Sequence, residues 1–165
     1  ALCGNSIIKL FNFIFMKSLN FLSILLIFTI IQCNPVDAQN QIRTLVGRLE
    51  NDSTVLTVDI PKMLSTYNST LLKMSNIDAK FSDISIKTTN DKQYFLVFKG
   101  SSYVSSFLVI EEKYQLFAYS GISCTTSDCA SEQFGCTPKV SGVACWPCSN
   151  KGKCTKTVSN RSLID

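Results

Sequence analysis

Between residues 61 and 75 apolar side chains recur with a period near 3.6, and from residue 81 the period drops to two. Leu64, Tyr67, Leu71 and Met74 fall on one side of the first segment, with Ser65, Asn68 and Lys73 opposite, which predicts an amphipathic helix. Pro61 suits its first turn, where a missing N–H costs nothing, and Asp59 stands near a capping position. In the second segment Ile84 and Ile86 alternate with Asp83, Ser85 and Lys87, and residues 88–92 (TTNDK) read as a polar turn. Residues 93–99 (QYFLVFK), 103–110 (YVSSFLVI) and 115–119 (QLFAY) read as three more strands separated by Gly100-Ser101-Ser102 and Glu111-Glu112-Lys113. The pattern upstream is ambiguous. Ile42, Leu45, Val46 and Leu49 fit a short helix, whereas residues 55–58 (VLTV) favour a strand through their β-branched content.

Four short strands joined by tight turns predict an antiparallel meander, and its apolar face needs a cover that the helix can supply. The expectation is therefore an α+β domain over residues 39–121, with one amphipathic helix packed on a four-stranded antiparallel meander. A small disulfide-rich module follows over 122–154, then a polar tail over 155–165.

The first 38 residues have a different character. From Met16, the run MKSLNFLSILLIFTIIQCNPVDAQ has a positive start at Lys17, an apolar stretch over 21–31, and Val36-Asp37-Ala38 with small residues at the spacing of a cleavage site. This reads as a secretory signal over 16–38, cut before Gln39. The apolar stretch is about half the roughly 20 residues a spanning helix needs. Residues 1–15 read as translated upstream sequence outside the fold. An alternative makes Cys33 the lipid-bearing cysteine of a membrane-anchored lipoprotein, although Gln32 stands where such sites prefer a small residue. Export would deliver a protein that is secreted or periplasmic, touching a membrane only through the signal before cleavage.

Cys124, Cys129, Cys136, Cys145, Cys148 and Cys154 follow the spacing C-x4-C-x6-C-x8-C-x2-C-x5-C. Their number is even, the segment is polar, and a signal precedes it, so they read as a disulfide framework. The larger apolar side chains between them are Phe134, Val140, Val143 and Trp146, too few to offset the chain entropy of the segment. Bridges of about 2–4 kcal/mol each would supply the difference. Spacing leaves the pairing open, apart from Cys145 to Cys148, which would close a tight loop around Pro147. Zinc would require a second C-x2-C pair or a histidine, and the chain has neither. Thiol–disulfide exchange by Cys145-Trp146-Pro147-Cys148 would require a helix to follow, but SNKGKCTKT carries no apolar stripe.

Charge and composition narrow the functional classes. The formal net charge of +4 falls to +3 when Lys9, Lys17 and Asp37 leave with residues 1–38, too mild to imply nucleic acid. With no histidine, the usual serine and cysteine triads are excluded, and so is imidazole acid–base chemistry. Glu111 and Glu112 would point to opposite sides of a strand end. Asp128 and Glu132 read as surface charges. Asn51, Asn68 and Asn160 each begin an N-x-S/T acceptor motif, and Asn68 falls on the polar helix face. No cofactor or metal is expected.

The cysteine spacing looks loosely similar to that of epidermal-growth-factor-like modules, but the last two intervals differ, so no pairing follows. The signal, the helix-plus-meander pattern, Gly135-Cys136-Thr137-Pro138, Cys145-Trp146-Pro147-Cys148 and Gly152-Lys153-Cys154-Thr155-Lys156-Thr157 together resemble small exported cysteine-rich proteins of Gram-negative bacteria. Such families have no assigned activity, so the resemblance implies export and no reaction. The expected function is a non-enzymatic binding or structural protein with an extracellular or periplasmic ligand. Tyr103, Trp146, Lys151, Lys153 and Lys156 are candidate contact residues. The alternative is a small secreted effector, such as a toxin or hydrolase inhibitor, whose stapled loops insert into a target. Intact-mass measurement on naturally exported material tests this reading. The chain should begin at Gln39 and gain six hydrogens on reduction; free thiols in the native material would contradict the disulfide framework.

Overall fold

In a computed structural model the described residues are 43–141 and 144–158, within a compact unit spanning 39–165. The expected signal, the residues before it, Cys33 and Asn160 lie outside them, as does the end of the expected polar tail. The chain forms β1 (Arg43–Glu50), β2 (Ser53–Leu56), α1 (Ile60–Ser75), β3 (Asp83–Thr88), β4 (Tyr94–Lys99), β5 (Val104–Glu112) and β6 (Gln115–Thr126). The short strands β7 (Thr137–Pro138), β8 (Cys145–Trp146) and β9 (Thr155–Val158) follow.

The ambiguous segment before the helix is a hairpin. Glu50 pairs with Ser53 across a two-residue turn, and Asn51 and Asp52 both take positive φ, at 47° and 61°. Short polar side chains tolerate that left-handed backbone, which matches the twist of the flanking strands. Lys113 and Tyr114 make a similar turn between β5 and β6, where the Glu111 side chain accepts the Tyr114 N–H at 2.8 Å. Asp59 caps α1 by accepting the Lys62 N–H at 3.0 Å, and Asn76 closes it with φ 54°.

The architecture corrects the expected one. β3 to β6 do run as an antiparallel meander, but they are part of a larger sheet ordered β2-β1-β6-β5-β4-β3. That sheet curls into a nearly closed barrel. β2 comes back toward β3, and Thr54 Oγ1 reaches the Ile86 carbonyl at 3.5 Å. Gly47 permits the approach, because a Cβ there would collide with the Val55 carbonyl and lie 2.7 Å from Ile86 Cδ1. Register shifts at Leu45/Gly47 and at Phe107/Val109 add the local twist that bends the sheet. A helix packed on a four-stranded antiparallel meander is therefore wrong, because the β1–β2 hairpin adds two strands to the sheet and the register shifts bend it.

The strands alternate between an inner and an outer face. Val46, Ile84, Ile86, Leu96, Phe98 and Phe107 point inward with Leu116 and Ala118, and they pack on Met63, Tyr67 and Leu71 of α1. Tyr67 lies at the centre of this core, with ring centroids 4.5 Å from Phe98 and 4.9 Å from Phe107. The polar helix face is not wholly solvated. Asn68 donates to the Phe81 carbonyl at 3.0 Å and accepts the Phe81 N–H at 2.8 Å, so this acceptor-motif asparagine pins the start of the meander instead.

The buried Tyr67 hydroxyl sits 2.6 Å from Ser105 Oγ, which lies 2.8 Å from Thr125 Oγ1. Burial raises the Tyr67 pKa above its ordinary 10.0, against the opposing pull of hydrogen bonds from Ser105, Ser123 and Thr125. The unfolded chain therefore releases this proton first. Its contribution is complete below about pH 10 and is lost as pH rises further. Tyr67→Phe should cost about 1 kcal/mol at pH 7 in urea titrations. It should also flatten the fall of stability above pH 10 relative to the parent; an unchanged alkaline slope would contradict the assignment.

Candidate functional site

β4 is apolar on both faces, which explains the dense run at 93–99. Leu96 and Phe98 face the helix, while Phe95 and Val97 face outward with Val104 and Leu108. The cysteine-rich segment covers this outer face. Phe134 packs edge-on against Phe95 with ring centroids 5.8 Å apart. Gly135 follows with φ 60°, pressed so closely on Val104 that a Cβ would collide with its side chain.

Three disulfides then fix the segment: Cys124–Cys145, Cys129–Cys148 and Cys136–Cys154. Cys124 belongs to β6, so the first bridge ties the loops directly to the sheet. Side chains finish the frame. Ser106 donates to the Cys136 carbonyl, Thr126 Oγ1 donates to the Lys153 carbonyl at 2.7 Å, and Asp128 accepts the Lys153 N–H at 2.8 Å. Three disulfides belong to an oxidising environment, extracellular or periplasmic. Among the described residues no helix is long and apolar enough to cross a membrane.

The frame displays one hairpin. Thr137 pairs with Trp146 and Pro138 with Cys145, and the Lys139 N–H donates to the Ala144 carbonyl at 2.8 Å. Val140 beyond it is 69% exposed and Trp146 56%, while Lys139 Nζ stands 4.0 Å from the centre of the indole ring. The cysteines at 136 and 145 on either side of the hairpin are bridged to different partners, so both of its arms are anchored.

Beside the hairpin lies an open cleft of about 460 Å³. Phe95, Phe134 and Pro147 provide its apolar surfaces. Thr89 and Gln93, from the β3–β4 turn, line it together with Glu132, Gln133 and Ser149 of the cysteine-rich segment. The Glu132 carboxylate accepts the Ser149 N–H at 3.3 Å.

The predicted contact residues separate. Trp146 is on the exposed hairpin, with Lys139 Nζ over its ring. Tyr103 is half-buried and packs against the helix core. Lys151 and Lys153 are exposed on the loop before β9. Lys156 is exposed within β9 and pairs across from Cys124. Glu112 pairs with Arg43 at 2.7 Å, away from Glu111 at the turn. The cleft residues Gln93 and Gln133 carry no local signal, because sites 40 residues apart meet only through the folding of the loop onto β4. Phe134 did offer one, as a large apolar side chain in an otherwise polar stretch.

Cys145 and Cys148 are bonded to different partners, not to each other, so the C-x-x-C pair is not a redox couple here. The sulfurs of Cys129, Cys136 and Cys148 lie within 4.8 Å of one another, a spacing that thiolates could use to hold a metal. As disulfides they offer no thiolate ligand. Comparison with protein-family models, curated proteins and solved structures gives no match.

The anchored hairpin makes a measurable expectation. Trypsin should leave the Lys139–Val140 bond of the oxidised protein intact and cut it after reduction. Trp146→Ala should raise cleavage of the oxidised form by uncovering Lys139. Equal cleavage before and after reduction, followed by mass spectrometry, would contradict the rigidity argued here.

Proposed function

We propose that this chain is an exported, non-enzymatic binding protein that works in the periplasm or outside the cell. Residues 16–38 act as its secretory signal, and the cysteine-rich face is its contact surface. The observation that carries this reading is the hairpin of Lys139, Val140 and Trp146, exposed yet anchored through cysteines on both arms. An apolar and aromatic surface that is already rigid loses little conformational entropy when a partner covers it. Trp is also among the residues that most often dominate interface energies. Lys151 and Lys153 leave the neighbouring loop cationic, which supports attraction to a partner of opposite charge.

The stapled hairpin also supports the narrower effector reading, in which the loop enters a hydrolase cleft. The two readings share a surface and differ in the partner. Photo-crosslinking tests both. A benzophenone side chain at Val140 of the exported, oxidised protein should give discrete adducts in its native surroundings, and the same group at Tyr114, which is 73% exposed on a distant turn, should not. Trp146→Ala should cut the Val140 adducts at least about tenfold, the size expected for losing an interface anchor. A hydrolase among the adducts selects the effector reading. Equal labelling from both positions rejects the hairpin as a contact surface.

A further inference from the structure

The cleft next to the hairpin has a chemistry of its own. Its volume of about 460 Å³ falls in the range of roughly 300–1,000 Å³ typical of small-ligand sites. Among the described residues lining it, Glu132 is the only charged one. An anionic ligand would meet that carboxylate with no lining cation to offset it. A wholly apolar ligand would strip water from Gln93, Gln133 and Thr89 without replacing its hydrogen bonds, which is costly.

Gln93 and Gln133 each carry an amide that donates and accepts, and Thr137 and Ser149 add hydroxyls with the same double capacity. Thr89 Oγ1, which accepts the Gln93 backbone N–H at 3.1 Å, keeps its O–H as a donor. Hydroxyl groups on a ligand donate and accept in the same way. The Glu132 carboxylate takes one backbone N–H from Ser149 through Oε2 and, with two oxygens, retains acceptor capacity for ligand hydroxyls. Phe134 and Pro147 supply flat apolar surface of the kind that the C–H face of a sugar ring can cover. Phe134 is held edge-on by Phe95, itself part of the cleft lining, and Pro147 by the bridged Cys145 and Cys148 on either side of Trp146-Pro147, so these surfaces stand ready before a ligand arrives.

We infer that this cleft binds an uncharged saccharide, with Gln93, Glu132 and Gln133 on the ring hydroxyls and Phe134 and Pro147 on the apolar face. The inference rests on the binding-protein reading above and names the ligand class for one part of that surface. It requires no reaction.

The test uses the full oxidised chain, labelled with nitrogen-15 and titrated with maltotriose, cellotriose and chitotriose up to about 10 mM, beyond the weak end of specific binding. At least one trisaccharide should give saturable shifts of the Gln93 and Gln133 side-chain amides. Gln93→Ala and Glu132→Gln should each weaken that binding about tenfold, and Tyr114→Ala should leave it unchanged. Spermidine and inositol hexaphosphate serve as cationic and anionic probes. No saturable shift with any trisaccharide overturns the inference, as does tighter binding of either charged probe at the same amides. Neither result bears on crosslinking from Val140, so a failure here is distinct from a failure of the binding-protein reading.

Discussion

Strand β6 hydrogen-bonds to β5 along one edge and, along the other, first to β1 and then to β9. That double pairing joins β1 and β9, from opposite ends of the described chain, to a strand already paired with its neighbour β5. The first half of β6 sends Leu116 and Ala118 into the helix core. The second half carries Cys124, from which the first disulfide reaches out to the hairpin. Between the halves lies the register shift that lets one strand serve both the barrel and the cysteine-rich face. Without it the loops would have no fixed footing, and the hairpin and cleft would have no defined orientation to the sheet.

The two sides of the sheet are stabilised by different means. Inside, Tyr67, Phe81, Phe98 and Phe107 interlock with aliphatic side chains from five strands, and burial of apolar surface is the main force. Outside, the apolar cluster is small, and Phe134 is the loop segment's largest contribution to it. Covalent links make up for that shortage. The surface residues proposed for binding all sit on the covalently stapled side. Exposed apolar groups such as Val140 and Trp146 are tolerated there because the segment's order does not depend on burying them.

Much of this was legible in the sequence, and what was missed has physical reasons. The period of 3.6 located α1 to within a residue, alternation located β3, and apolar runs between polar turns located β4 and β5. β1 was ambiguous because its spacing at Leu45, Val46 and Leu49 fits either element, and the deciding feature is a turn made by Asn51 and Asp52. β6 was cut short at Tyr119, because the polar residues after it interrupt the apolar run while the strand continues to Thr126. Its partners lie far away in sequence, and only they reveal that the strand continues. The same non-locality hid the cleft, and it explains why Tyr103, a candidate contact residue, lies half-buried against the helix core. Cysteine number and composition foretold a bridged segment, while the pairing was open until the loops had a sheet to rest on.

The order of the bridges has a consequence for how the protein is made. Each joins one of the first three of the six cysteines in the module to one of the last three, with sequence separations of 21, 19 and 18 that all enclose residues 136–145. A chain emerging N-terminus first therefore presents Cys124, Cys129 and Cys136 together before any native mate has appeared. Whatever bond an oxidant makes among those three is a wrong one, and thiol attack must undo it before the correct set can close. Biosynthetic yield should thus depend less on how fast the surroundings oxidise than on how readily they isomerise.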